Sequence, residues 1–231
     1  MSIHDRLRAV QSKINQALER ASDSQRKVEL IAVSKKMSLD KIREAFDSGQ
    51  RAFGENYVQE LVPKLEQLEN AKLNWHFIGP LQSNKVRKVI GRVVLIHSVD
   101  RESLLLEISK QAVAHNLVQN ILIQLNVADE DGKSGASRQD LGALIDKALQ
   151  LEGIRVCGLM AMPPFVEDGE ANREHFRKIK NIFDDLKAKF PDTKREAFSE
   201  LSMGTSQDFE VAIEEGATMV RVGTQIFGQR V

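Results

Sequence analysis

Apolar residues open the chain at helical spacing: Ile3, Leu7, Val10, Ile14, Ala17 and Leu18 fall on one face. Residues 1–21 are therefore expected to form a helix that packs on the rest of the chain. After it, short apolar runs alternate with amphipathic stretches. Strand patterns cover Val28–Ser34, Arg51–Gly54, Asn74–Ile78, Val93–His97, Asn120–Val127, Ile154–Met160, Phe198–Ser202 and Thr218–Val222. Helical patterns cover Leu39–Ser48, Ser103–His115, Leu141–Leu151, Phe176–Phe190 and Gln207–Glu215. Ser137 with Asp140, and Thr205 with Asp208, have capping-box spacing before apolar periodic runs. Gly49 and Gly216 stand where a helix would end and the next strand begin.

About eight strand–helix units in 231 residues predict parallel strands joined by right-handed crossovers. The natural closure is a single (β/α)8 TIM barrel preceded by the extra N-terminal helix. A doubly wound open sheet is the competing architecture. It loses weight because no Gly-x-Gly-x-x-Gly follows the first strand. No low-complexity linker or shift of composition divides the chain, so residues 1–231 are expected to form one domain.

Charge and composition narrow the function. Lys plus Arg and Asp plus Glu both number 33, which argues against a strong field for nucleic acid or an anionic membrane. Cys157 is the only cysteine, so neither an internal disulfide nor a cysteine zinc cage is available. Its neighbours Val156 and Gly158 make it a core residue rather than a nucleophile. The histidines (His4, His76, His97, His115, His175) show no metal-ligand spacing. A polar N-terminus and the absence of a bilayer-length apolar run predict a cytoplasmic protein.

The polar residues with chemical potential follow the strands, where a barrel builds its active site. Lys35 ends the first strand. An amine desolvated there is suited to attack an aldehyde, although a solvated loop lysine is the commoner occupant of such a position. Ser202, Gly204 and Ser206, with Gly223 and Thr224, read as a phosphate cradle after strands seven and eight. Helix capping and chain turning alone could also account for them. Arg221 lies in the apolar strand Met219-Val220-Arg221-Val222 and shares a side with Met219. It points into the barrel, either as a structural ion pair or toward a ligand. His76 points the same way if Phe77 points outward, and a satisfied core histidine is the plainer alternative. Lys133-Ser134-Gly135 reads as a charged turn or a lid.

These segments together resemble the pyridoxal phosphate homeostasis protein family. The resemblance rests on Leu30-Ile31-Ala32-Val33-Ser34-Lys35, Phe53-Gly54-Glu55-Asn56-Tyr57-Val58-Gln59-Glu60 and Trp75-His76-Phe77-Ile78-Gly79-Pro80-Leu81-Gln82-Ser83-Asn84-Lys85. It continues through Gly158-Leu159-Met160-Ala161-Met162, Leu201-Ser202-Met203-Gly204 and Met219-Val220-Arg221-Val222-Gly223-Thr224-Gln225-Ile226-Phe227-Gly228. It implies a barrel like the N-terminal domain of alanine racemase, with pyridoxal 5′-phosphate (PLP) held as an aldimine on Lys35. Asn56 and His76 would line the site. Ser202, Met203, Gly204, Ser206, Gly223 and Thr224 would form the phosphate side, and Arg221 would face the pyridine nitrogen. A permanent cation there cannot protonate that nitrogen, which leaves the ring a poor electron sink.

Two stretches depart from the family pattern. Lys36-Met37-Ser38 stands where Thr-Lys-Pro is usual, making Lys36 a rival amine that points away if the strand holds. Thr205 and Gln207 stand where Met and Asp are usual. The implied function is to hold, buffer or deliver PLP without turnover, as a monomer that meets apo PLP-dependent enzymes transiently. No metal, nucleic acid or membrane is implied. The alternative is a small PLP-dependent amino-acid racemase or lyase. That would need acid–base groups on both cofactor faces, and the chain has one tyrosine, Tyr57, and no room for the second domain of alanine racemase. A phosphosugar enzyme would explain the cradle but not the combined motifs.

Overall fold

A computed structural model describes residues 1–21, 23, 25–69, 71–127, 135–164 and 166–229. Its strands are β1 (Glu29–Val33), β2 (Ala52–Glu55), β3 (Asn74–Phe77), β4 (Leu95–Val99), β5 (Gln119–Leu125), β6 (Ile154–Ala161), β7 (Glu200–Thr205) and β8 (Met219–Val222). They pair in chain order, all parallel, and β8 returns to β1 to close the barrel. The expected (β/α)8 closure is what forms. Strand alternation then sorts the side chains into two cores. Ile31, Ala52, Leu95, Leu122, Cys157, Met160 and Met219 fill the barrel. Leu30, Ala32, Phe53, Phe77, Ile96 and Val220 face the helices.

The helix α1 (Ile3–Arg20) precedes the barrel. Ser2 caps it in a reciprocal box with Asp5, and its buried residues are the six that the spacing selected. It packs on α2 (Leu39–Asp47), α8 (Phe209–Glu214) and α9 (Thr224–Phe227). The remaining helices are α3 (Val58–Gln67), α4 (Glu102–Ala114), α5 (Arg138–Gln150), α6 (Arg173–Lys189) and α7 (Asp192–Arg195). A 3₁₀ helix over Ser83–Lys88 serves as the crossover after β3. Gly49 and Gly216 take positive φ (100° and 104°), as chain reversals after helices require.

The sequence pattern missed α3. Pro63 lies inside it and normally signals a break, but the one lost hydrogen bond falls at Gln59, which is exposed. β7 runs through Thr205, three residues beyond the expected end at Ser202. The apolar signal at Phe198 that pulled the expectation forward comes from helix packing, since its ring lies 5.0 Å from Phe183 and 4.3 Å from Phe190. Ser137 does cap α5 by accepting from the Asp140 N–H. Thr205 does not cap α8. It ends β7, and both its N–H and its hydroxyl donate to the Asp208 carboxylate. Lys133 and Ser134 of the expected turn or lid lie outside the described residues.

Candidate functional site

At the C-terminal mouth of the barrel lies a cavity of about 410 Å³. That is within the roughly 300–1,000 Å³ typical of small-molecule sites. Val33, Ile78 and Met162 form its apolar walls, while Lys35, Asn56, Thr205, Ser206, Gln207, Arg221, Gly223 and Thr224 supply its polar groups. Lys35 follows the end of β1 in a turn, and Lys36 beyond it adopts a left-handed φ of 60° and is exposed. The two lysines are thereby separated, and Lys35 is the one at the cavity.

Asn56 follows β2, and its backbone is backed by Gly79, where a Cβ would lie 2.2 Å from the Asn56 carbonyl oxygen. Its Oδ1 is buried without a partner among the described residues. Such an orphan is satisfied by a ligand donor, or by a ligand oxygen if the amide turns end for end. Across the cavity, the loops after β7 and β8 meet: Gly223 N–H donates to Ser206 Oγ at 3.2 Å, and the Gln225 amide donates to the Ser206 carbonyl.

Arg221 is only 4% exposed. Burial lowers its pKa to about 10, so it remains a cation at neutral pH. It donates to Ser202 Oγ at 2.6 Å and to the Ala161 carbonyl at 3.0 Å. Behind it a polar chain runs down the barrel. Ser202 Oγ is 3.0 Å from His97 Nδ1, and His97 Nε2 is 3.0 Å from His76 Nδ1. His76 Nε2 is buried with no hydrogen-bond partner among the described residues, 3.7 Å from Glu29 Oε2 at the start of β1. Burial holds His76 at about 4 and pushes His97 well below its ordinary value, so both are neutral imidazoles.

Six of the ten residues named from sequence thus meet at one cavity: Lys35, Asn56, Ser206, Arg221, Gly223 and Thr224. Four stand elsewhere. His76 and Ser202 lie deeper, in the polar chain. Met203 faces the helix layer, and Gly204 packs under α8, where a Cβ would approach Ala212 Cβ to 2.5 Å. For the three on β7 the cause is that strand's greater length, with a register shift between Ser202 and Thr205. Sequence reasoning did not select Val33, Ile78, Met162, Thr205, Gln207 or His97. Strand parity was the available signal for two of them, since Val33 shares a side with Lys35 and Ile78 with His76. Cys157 is buried in the barrel core, and burial raises its thiol to about 11. Among the described residues no group of His, Cys, Asp and Glu could hold a metal ion, and no helix is long and apolar enough to cross a membrane.

Fold and site define an alanine-racemase-type barrel, and the model of the alanine racemase N-terminal domain matches residues 6–231. An Aquifex aeolicus relative named pyridoxal phosphate homeostasis protein is 44% identical over 230 residues, covering 100% of this chain and 99% of the relative. The structure of PipY from Synechococcus elongatus PCC7942 with PLP bound superposes with a TM-score of 0.85 at 34% identity, covering 98% of this chain and 100% of PipY. The chain belongs to the pyridoxal phosphate homeostasis protein family. Diaminopimelate decarboxylase from M. jannaschii shares the fold alone (TM-score 0.76, 15% identity, 98% of this chain and 60% of the enzyme).

Proposed function

We propose that this chain, as one domain over residues 1–231, binds PLP at the barrel mouth and takes part in PLP homeostasis by holding and releasing it. The observation that carries this is the convergence of Lys35, Asn56, Ser206, Arg221, Gly223 and Thr224 on one cavity. The donor set fits the cofactor group by group. Lys35 offers the amine for the aldehyde. Ser206, Gly223 and Thr224 surround the place for the phosphate. Arg221 offers N–H donors to the pyridine nitrogen, and the unpartnered Asn56 oxygen awaits a ligand group. When bound, PLP supplies a carbonyl that reacts reversibly with primary amines.

The chain's own residues favour retention over turnover. Among the described lining residues the ionisable side chains are Lys35 and Arg221. A permanent cation at the ring nitrogen withholds the proton that would strengthen the ring as an electron sink. His76 and His97 lie behind Arg221, held neutral, and do not line the cavity. Racemisation needs proton donors and acceptors on both faces of the cofactor. Among the described residues the mouth leaves Met162 56% exposed, which suits exchange of a bound molecule better than exclusion of water. The inferred partners are PLP and, transiently, apo-enzymes that require it. The inferred working state is a cytoplasmic monomer.

The test is reductive trapping of added PLP with peptide mapping, on wild type and Lys35→Ala. The expected result is label on Lys35 in wild type and none at the mouth in Lys35→Ala, with melting temperatures within a few degrees of each other. Wild type that takes no label at Lys35 sinks the binding assignment. Incorporation of solvent deuterium at Cα of added alanine would overturn the non-catalytic role.

A further inference from the structure

α3 carries a lysine on its buried face. Lys64 shares that face with Val58 and Leu61 and is only 7% exposed. A leucine could fill such a position, and a buried ion pair commonly gives no more stability than apolar residues of similar size. What the lysine adds is therefore geometric. Its Nζ donates to Glu55 Oε1 at 2.6 Å and to the Ser34 carbonyl at 2.9 Å, with Glu60 Oε2 at 3.5 Å. Ser34 Oγ also donates to Glu55 Oε1, at 2.6 Å. Glu60 Oε2 in turn accepts from the backbone N–H of Lys36 at 2.6 Å.

These bonds enclose one residue. The Ser34 carbonyl belongs to the peptide before Lys35, and the Lys36 N–H belongs to the peptide after it. Both peptide planes that meet at the Lys35 Cα are thus anchored by residues one turn apart on α3. The same contacts hold Lys36 in its left-handed conformation, which turns the rival amine out to solvent. Glu55, Glu60 and Lys64 do not line the cavity, so they act on Lys35 from behind.

We infer that Glu55, Glu60 and Lys64 form a positioning clamp that presents Lys35, and not Lys36, to a carbonyl ligand at the barrel mouth. This rests on the assignment of Lys35 as the reactive amine. An amine on an unclamped turn would spend less time in the attacking geometry, and fixing reacting groups is a large part of the rate of such encounters. Glu60 is the best handle because it is partly exposed, and its loss leaves Lys64 still paired with Glu55.

The experiment compares wild type, Glu60→Ala, Glu60→Gln and the double variant Glu55→Gln/Lys64→Met, which removes the buried pair without stranding a charge. Each is reacted with PLP, trapped by reduction, and mapped for label at Lys35 and Lys36. Amide hydrogen exchange at Lys36 is followed by NMR on the protein without PLP. Glu60→Ala and the double variant should trap at Lys35 about tenfold more slowly, the scale of loosened rather than lost fixation. They should also divert label to Lys36, and in Glu60→Ala exchange at the Lys36 amide should accelerate. Glu60→Gln keeps the acceptor and should restore the wild-type pattern. Wild-type rate and wild-type Lys35-to-Lys36 ratio in both disruptive variants would overturn the clamp while leaving Lys35 as the reactive amine. No label at Lys35 in wild type would overturn that assignment together with the role built on it.

Discussion

Arg221 donates to Ser202 Oγ at 2.6 Å, and this bond orients the protons of the barrel interior. A guanidinium only donates, so the Ser202 hydroxyl accepts from it and keeps its own proton to give to His97 Nδ1. In that arrangement His97 would carry its proton on Nε2 and donate to His76 Nδ1. His76 would also carry its proton on Nε2, facing Glu29 across 3.7 Å. A run of hydrogen bonds thereby leads from the cation at the mouth to His76, whose Nε2 stops 3.7 Å short of the Glu29 carboxylate at the barrel floor.

The first consequence is spectroscopic. Nitrogen-15 NMR of the protein without PLP at pH 7 should show His76 and His97 as neutral Nε2–H tautomers. Ser202→Ala should perturb His97 first and His76 less. An Nδ1–H tautomer at His97 in wild type would rule out the proposed direction.

The second concerns acid stability. A free histidine titrates near 6.5, while His76 in the fold is held at about 4 by burial. Between these values the unfolded chain binds more protons, so stability rises with pH and is lost as pH falls through the window. The full contribution of His76 is roughly 3 kcal/mol, taking about 1.4 kcal/mol per pH unit. His97 acts in the same direction. Glu29, which faces His76 and whose carboxyl is raised by burial, acts in the opposite direction, and Arg221 stays charged throughout. Urea unfolding at pH 7 and pH 4.5 should show the loss, and His76→Gln should flatten it. A wild-type midpoint that does not move between these pH values counts against buried neutral histidines.

A matched pair of glycines tests the packing. Gly158 has φ +151°, and a Cβ there would lie 1.8 Å from the Glu200 carbonyl oxygen, so Gly158→Ala must push β6 from β7. It should cost at least about 2–3 kcal/mol. Gly142 lies inside α5 with nothing within 4 Å of a Cβ. Gly142→Ala should stabilise by about 0.5–1 kcal/mol through helix propensity alone. Denaturant midpoints moving in the same direction for both would refute this account of their environments.

Ser137→Ala removes the N-cap of α5, in which Ser137 Oγ accepts from Asp140 N–H at 3.1 Å. The expected loss is about 1 kcal/mol. Faster hydrogen exchange should be confined to the first turn of that helix. An unchanged first turn would show that the cap contributes nothing there.

The barrel was legible because its signals are local. The six buried residues of α1, the eight apolar runs and the glycines that end α2 and α8 depend on spacing and turn chemistry within a few residues. Misjudged positions have causes outside their own segment. Phe198 looked like strand because its ring is buried, but it is buried against Phe183 and Phe190. Pro63 looked like a break, yet α3 absorbs it. Lys64 gave no sign of its role, since a lysine one turn after Glu60 reads as an ordinary surface pair.

By itself, the sequence determined the (β/α)8 order and the N-terminal helix and set Lys35 just after the first strand, because period, caps and turn chemistry are written in neighbouring residues. The tertiary structure alone decided which polar groups meet. It put Ser206 at the cavity and Ser202 beneath it, joined Arg221 to two histidines from β3 and β4, and set Lys64 behind Lys35. These depend on where β7 ends and on how closed strands bring distant residues within 3 Å of one another, and no local pattern carries that register.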